Sequence, residues 1–160
     1  MFKHILLPTD GTPAAGAAID ACLRFARQTG ARITAVHVMP ILHMFAYEPG
    51  VTESVREQVV KDREHHSKQA LEQLEQRAVA AGVPCTPLLL TSDYPYEAII
   101  EAARDAGCDL IAMASHGRAG IKGVLLGSET QKVLSHSAIP VLVFRAPEHG
   151  GAAAGEPFLS

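Results

Sequence analysis

Five short apolar runs alternate with four segments of helical period along this 160-residue chain. That alternation restricts the fold more than any other feature. The runs cover residues 3–8, 32–38, 85–91, 108–114 and 139–144. Continuous apolar runs of this length read as strands buried on both faces. The first intervening segment has Thr12 placed as N-cap, Pro13 at the first helical position and Gly30 as its stop, with Ile19, Cys22, Leu23 and Ala26 at helical spacing. The second is a long polar helix over 52–81 whose apolar stripe is Val55, Val59, Ala70, Leu71, Leu74 and Ala78. The third spans 95–106, with Ala98, Ile99, Ala102 and Ala103 inward, and the fourth 127–136. The order β-α-β-α-β-α-β-α-β predicts a single doubly wound α/β domain: a five-stranded parallel sheet with helices on both faces and right-handed crossovers. Pro84 and Pro87 assign the third strand to a sheet edge, as in the strand order 3-2-1-4-5.

This domain occupies residues 1–145. Residues 146–160, with Pro147, Gly150, Gly151 and an alanine run, lack periodicity and read as a disordered tail. The connection over 39–51 is longer than usual and carries Pro40, Pro49 and Gly50, which favours a functional segment. Composition excludes several classes. Hydrophobic residues make up 48% and charged residues 19%, and the net charge is -3 without a Lys/Arg-rich run, so no nucleic-acid partner is expected. Three cysteines without CxxC spacing argue against a disulfide framework or zinc site and fit a reducing compartment. No stretch approaches the length of a membrane span, and the apolar run at the start is too short for a signal peptide. A cytoplasmic protein with no membrane partner is expected.

In open parallel sheets, ligands bind outside the carboxyl ends of the strands, where the strand order reverses. That rule selects the loops after the first and fourth strands. The second of these runs from Met113 through Gly117, Gly120, Gly123 and Gly127 into a helix start. Glycines allow close backbone approach, unpaired N–H groups at a helix start attract anions, and Ser128, Thr130, Arg118 and Lys122 add donors and positive charge. A di- or triphosphate suits that set. The P-loop and dinucleotide fingerprints are both absent. The alternative is that the glycines serve only a tight turn and helix packing.

With these residues in view, the chain resembles the universal stress proteins. Nucleotide-binding members carry Gly-x2-Gly-x9-Gly-Ser/Thr, and Ala114-x2-Gly117-x9-Gly127-Ser128 has that spacing, with Ala114 in place of the first glycine. Leu7-Pro8-Thr9-Asp10, Val36-His37-Val38 and Ile139-Pro140-Val141-Leu142-Val143 are also similar to the family, and the resemblance covers residues 1–145. It implies that Pro8, Thr9 and Asp10 line the nucleoside side, with the Asp10 carboxylate accepting from a ribose hydroxyl, and that Val38 meets the adenine. It implies that Met113, Ala114, Ser115, His116 and Gly117 wrap the ribose and first phosphates, that Arg118, Ala119 and Gly120 continue the loop, and that Gly127, Ser128, Glu129 and Thr130 close over the phosphates. Glu129 is an awkward neighbour for a polyanion unless its side chain turns away or meets a metal ion.

The ligand implied is ATP, or another adenine nucleotide, with Mg2+. The function implied is regulatory, in a stress response, with at most slow hydrolysis or autophosphorylation on Ser128 or Thr130. The apolar fifth strand would be an open edge, so a homodimer through residues 139–145 is expected, as the resemblance also suggests. The alternative is a dimeric interaction module that binds no nucleotide, for which Ala114 is the main support. A receiver-like phospho-acceptor needs an acidic cluster that neither Asp10 nor Asp93 belongs to. His37 reads as a packed core histidine, His65-His66 as a solvated face, and His116 as a turn residue.

Overall fold

A computed structural model describes residues 1–40, 49–115 and 126–145. Strands and helices alternate as the periodicity requires: β1 His4–Pro8, α1 Pro13–Thr29, β2 Arg32–Met39, α2 Glu53–Ala80, β3 Cys85–Thr91, α3 Pro95–Asp105, β4 Leu110–Ala114, α4 Ser128–His136 and β5 Val141–Phe144. The five strands pair in parallel in the order β3-β2-β1-β4-β5. Side chains alternate across a strand, so each strand feeds two cores. Ile5, Leu7, Ile33 and Ala112 meet Ile19, Leu23, Leu71 and Leu74 of α1 and α2 on one face. Leu6, Val36, Ile111 and Met113 meet Ile99, Ala103 and Val133 of α3 and α4 on the other. All three cysteines are free thiols. Burial pushes Cys22 up to about 12 and Cys85 and Cys108 up to about 11, so they sit as small apolar groups.

β3 lies at the edge, as its prolines require. The Pro84 carbonyl accepts from Ile33 N–H and the Ser92 N–H donates to Met39, so even-numbered residues of this strand bond to β2. Pro87 therefore turns its missing N–H outward, where no ladder bond is lost.

Four expectations change. β4 begins at Leu110 rather than at residue 108, because the Cys108 N–H closes the end of α3 by donating to the Ala103 carbonyl at 2.8 Å. β5 begins at Val141 rather than at residue 139. Ser137 Oγ accepts from the Ile139 N–H at 3.0 Å and donates to the Ile139 carbonyl at 2.7 Å, which makes a turn there. Thr12 occupies the N-cap position of α1 without a side-chain cap bond, its hydroxyl being drawn to Asp10. The stripe of α2 is buried only in its second half, at Ser67, Leu71, Leu74 and Ala78, while Val55 is half exposed. Length explains this. The 28 residues of α2 extend about 42 Å. The 8 residues of β2 beneath it extend about 26 Å.

Candidate functional site

The carboxyl ends of β1, β2 and β4 open on a cleft of about 480 Å³. It lies at the reversal of strand order, where β1 has β2 on one side and β4 on the other.

The loop after β1 is held by its own hydrogen bonds. The Thr9 N–H donates to the Val36 carbonyl at 2.9 Å, and Thr9 Oγ1 accepts from the Gly11 N–H at 3.2 Å. Asp10 Oδ1 accepts from the Thr12 N–H at 2.9 Å and from the Thr12 hydroxyl at 2.6 Å. This is an Asx turn, a local bond that replaces helix capping by Thr12. It fixes the Asp10 carboxylate, half-buried, on the wall of the cleft beside Pro8 and Thr9.

β2 contributes Val36, His37 and Val38, and Pro40 follows. His37 is half-buried on the cleft and is not the packed core histidine expected from its strand position. Met113 and Ala114 line the end of β4. Ala114 is paired with Phe144, and none of the described non-glycine residues has a positive φ, so its Cβ imposes no backbone strain. Ser115 is buried outside the lining, its N–H donating to the Phe144 carbonyl at 2.9 Å. His116, Gly117, Arg118, Ala119 and Gly120 lie outside the described residues, as does Lys122.

α4 starts at the cleft. Gly127 is its N-cap, with φ -63°, a value open to any residue, so no left-handed backbone calls for glycine here. The Gly127 N–H donates to the Ser115 carbonyl at 2.6 Å. Thr130 is buried, and its hydroxyl donates to the Ala114 carbonyl at 2.9 Å. These two bonds brace the start of α4 against the end of β4. The first intrahelical bond is from the Gln131 N–H to the Gly127 carbonyl, so the N–H groups of Ser128, Glu129 and Thr130 have no acceptor within the helix. No side chain caps them from the Gly127 position. Ser128 is exposed, whereas the Thr130 proton is directed at Ala114 and away from a ligand.

Glu129 lines the cleft but turns its carboxylate to α3. Oε2 accepts from the Tyr96 N–H at 3.0 Å, and Oε1 lies 3.4 Å from Lys132 Nζ. It thereby satisfies an N–H in the first turn of α3, where Tyr94 at the N-cap position makes no side-chain cap bond.

The cleft thus gathers Pro8, Thr9, Asp10, Val38, Met113, Ala114, Gly127, Ser128, Glu129 and Thr130 from the residues expected in the sequence. It adds Ala15, Val36, His37 and Pro40, and from α3 it adds Pro95 and Ile99. The α3 contributions had no local signal, because Ile99 reads only as an inward residue of its helix. Among the described lining residues there is no Lys or Arg. Among the described residues no helix is long and apolar enough to cross a membrane.

Sheet order and a cleft at the reversal point define a class of doubly wound α/β domains. Comparison with known proteins narrows it. The sequence signature of the Universal stress protein family matches residues 1–145, and the chain belongs to that family. A universal stress protein of Thermus aquaticus is 35% identical over 146 residues, 91% of this chain and 100% of that protein. Universal stress protein MJ0577 of Methanocaldococcus jannaschii is 28% identical, over 91% of this chain and 96% of that protein. Its solved structure superposes with a TM-score of 0.77 at 29% identity, over 93% of this chain and 99% of that one. A universal stress protein solved in complex with cAMP shares the fold, with a TM-score of 0.65 at 22% identity, over 90% of this chain and 97% of that one.

Proposed function

We propose that the cleft holds an adenine nucleotide, ATP carried with Mg2+, and that the protein is a cytoplasmic regulator in a stress response. One observation carries this reading: the start of α4, whose first N–H groups have no acceptor within the helix, lines the same cleft as the apolar side chains Val36, Val38, Ile99 and Met113. Val36, Val38, Ile99 and Met113 suit a flat base, and the start of α4 suits phosphate oxygens. The Asp10 carboxylate, fixed through Oδ1, is placed to accept from a ribose hydroxyl. Among the described residues no group of three His, Cys, Asp or Glu could hold a metal ion, so in this reading Mg2+ arrives on the triphosphate. Residues 113–120 would complete the ribose and phosphate contacts, as the family motif implies.

Hydrolysis or autophosphorylation would be slow. Among the described lining residues the carboxylates are Asp10 and Glu129, and each is engaged by neighbouring donors rather than free to act as a base. Ser128 is the exposed hydroxyl at the phosphate end and would be the acceptor. The reading extends to a homodimer through β5. This strand ends the sheet, and each of its residues, Val141 to Phe144, is only half-buried.

Calorimetric titration with MgATP tests the nucleotide reading. Wild type should bind in the micromolar range. Val38→Trp, which fills the base end, should weaken binding at least about tenfold with the melting temperature retained. A folded, nucleotide-free wild type that binds no adenine nucleotide would overturn it in favour of a dimeric interaction module.

A further inference from the structure

Glu129 is a negative charge at the second position of α4, whose N-cap Gly127 has no side chain to cap it, which is where an anion would otherwise be drawn. Both carboxylate oxygens are engaged, Oε2 by the Tyr96 N–H at 3.0 Å and Oε1 by Lys132 at 3.4 Å. Lys132 is itself held, with Nζ 5.5 Å from the centre of the Tyr96 ring. The Tyr96 ring in turn lies 5.2 Å from that of His136. The carboxylate therefore ties α4 to the start of α3 through the Tyr96 N–H, and both helices line the cleft. It cannot swing into solvent without exposing an N–H at the start of α3. The other described acid on the lining is Asp10, and the cation paired with Glu129, Lys132, stands partly exposed and off the described lining.

We infer that Glu129 determines which charge state of nucleotide the site accepts, disfavouring the metal-free triphosphate relative to a monophosphate or the magnesium complex, while its bond to Tyr96 positions the α3 wall. This rests on the nucleotide reading above. Two features of the side chain do separate work. Its charge acts on the phosphate end, and its acceptor oxygen acts on α3. Glutamine keeps an acceptor and removes the charge; alanine removes both. A residue serving packing alone would respond to alanine and not to glutamine.

The experiment is calorimetric titration of wild type, Glu129→Gln and Glu129→Ala with AMP, with ATP in EDTA and with ATP plus Mg2+, beside melting curves of the free proteins. Glu129→Gln should bind metal-free ATP about three- to tenfold tighter than wild type, the scale of one charge at a helix terminus, and more so at low salt. Its affinity for AMP should rise by a smaller factor, since a monophosphate brings about half the negative charge, and its melting temperature should stay near that of wild type. Glu129→Ala should melt lower and bind AMP more weakly, since the start of α3 is released. If glutamine shifts AMP and metal-free ATP by one common factor, or shifts neither, the charge assignment is overturned while the nucleotide reading stands. If wild type binds none of the three ligands, the nucleotide reading falls and this inference falls with it.

Discussion

Gly11 shows how one residue can hold a site it never touches. Its φ is 75°, in the left-handed region, and a Cβ built there would lie 3.0 Å from Ala70 Cβ of α2. Its N–H also closes the turn on Thr9. Gly11→Ala would combine backbone strain with a forced shift of α2, and should destabilise the fold by about 1–2 kcal/mol. Chemical denaturation measures that loss, and weaker nucleotide binding through a displaced Asp10 should accompany it. At the opposite end of β1, His4 is buried, with Nε2 2.7 Å from Thr34 Oγ1. Burial first, and the nearby Arg32 charge second, lower its pKa, outweighing the pull of Asp109. The folded protein thus holds this proton less well than the unfolded chain does. The contribution is complete above the unfolded histidine value of about 6.5 and is lost as pH falls below it. Asp109 acts at lower pH. Burial raises its pKa, but the Lys3 and His4 N–H bonds outweigh this and hold it low, so its contribution is lost only as pH falls below about 3.9. Denaturation midpoints should therefore fall between about pH 7.5 and 5.5, and His4→Gln should flatten that slope.

At the scale of elements, period and punctuation were enough to place the described strands and helices, because many of their ends have a local cause. Pro13 and Gly30 bracket α1, and Gly30 takes the left-handed value that ends a helix. The boundaries that shifted were those decided by partners distant in sequence or by competing side-chain bonds. Cys108 is apolar and reads as strand, yet its N–H belongs to α3. The stripe of α2 reads as continuous, yet burial stops where the sheet beneath it ends. Arg77 illustrates what no helical pattern contains. It donates to the Gly16 carbonyl at 3.1 Å and pairs with Asp20, fastening the buried half of α2 to α1. Both side chains of that pair are partly exposed, so the ion pair itself contributes little and the carbonyl bond does more.

For the whole molecule, strand order was legible because the family motifs and the edge prolines agree, and because a parallel sheet with right-handed crossovers leaves few alternatives. The cleft was legible where loops follow strands: Asp10, Val38, Met113 and Ala114 all stand at or near carboxyl ends. It was not legible where α3 enters, since Pro95 and Ile99 reach it only through packing. Whether Ala114 can stand in place of the motif glycine depends on its backbone angle, which the residue order does not carry. The β5 edge is a property of the complete sheet. If it pairs with a second copy, sedimentation velocity should show a concentration-dependent dimer, and Val143→Lys should shift it to monomer. A wild type that stays monomeric across the series would remove the dimer from the reading.

The bonds from Gly127 to Ser115 and from Thr130 to Ala114 join the two ends of the segment between β4 and α4 independently of what lies between. The strand end and the helix start are thereby tied directly to each other. Thr130→Val would cut one of the two ties and should loosen the helix start from the strand end while both elements stay whole.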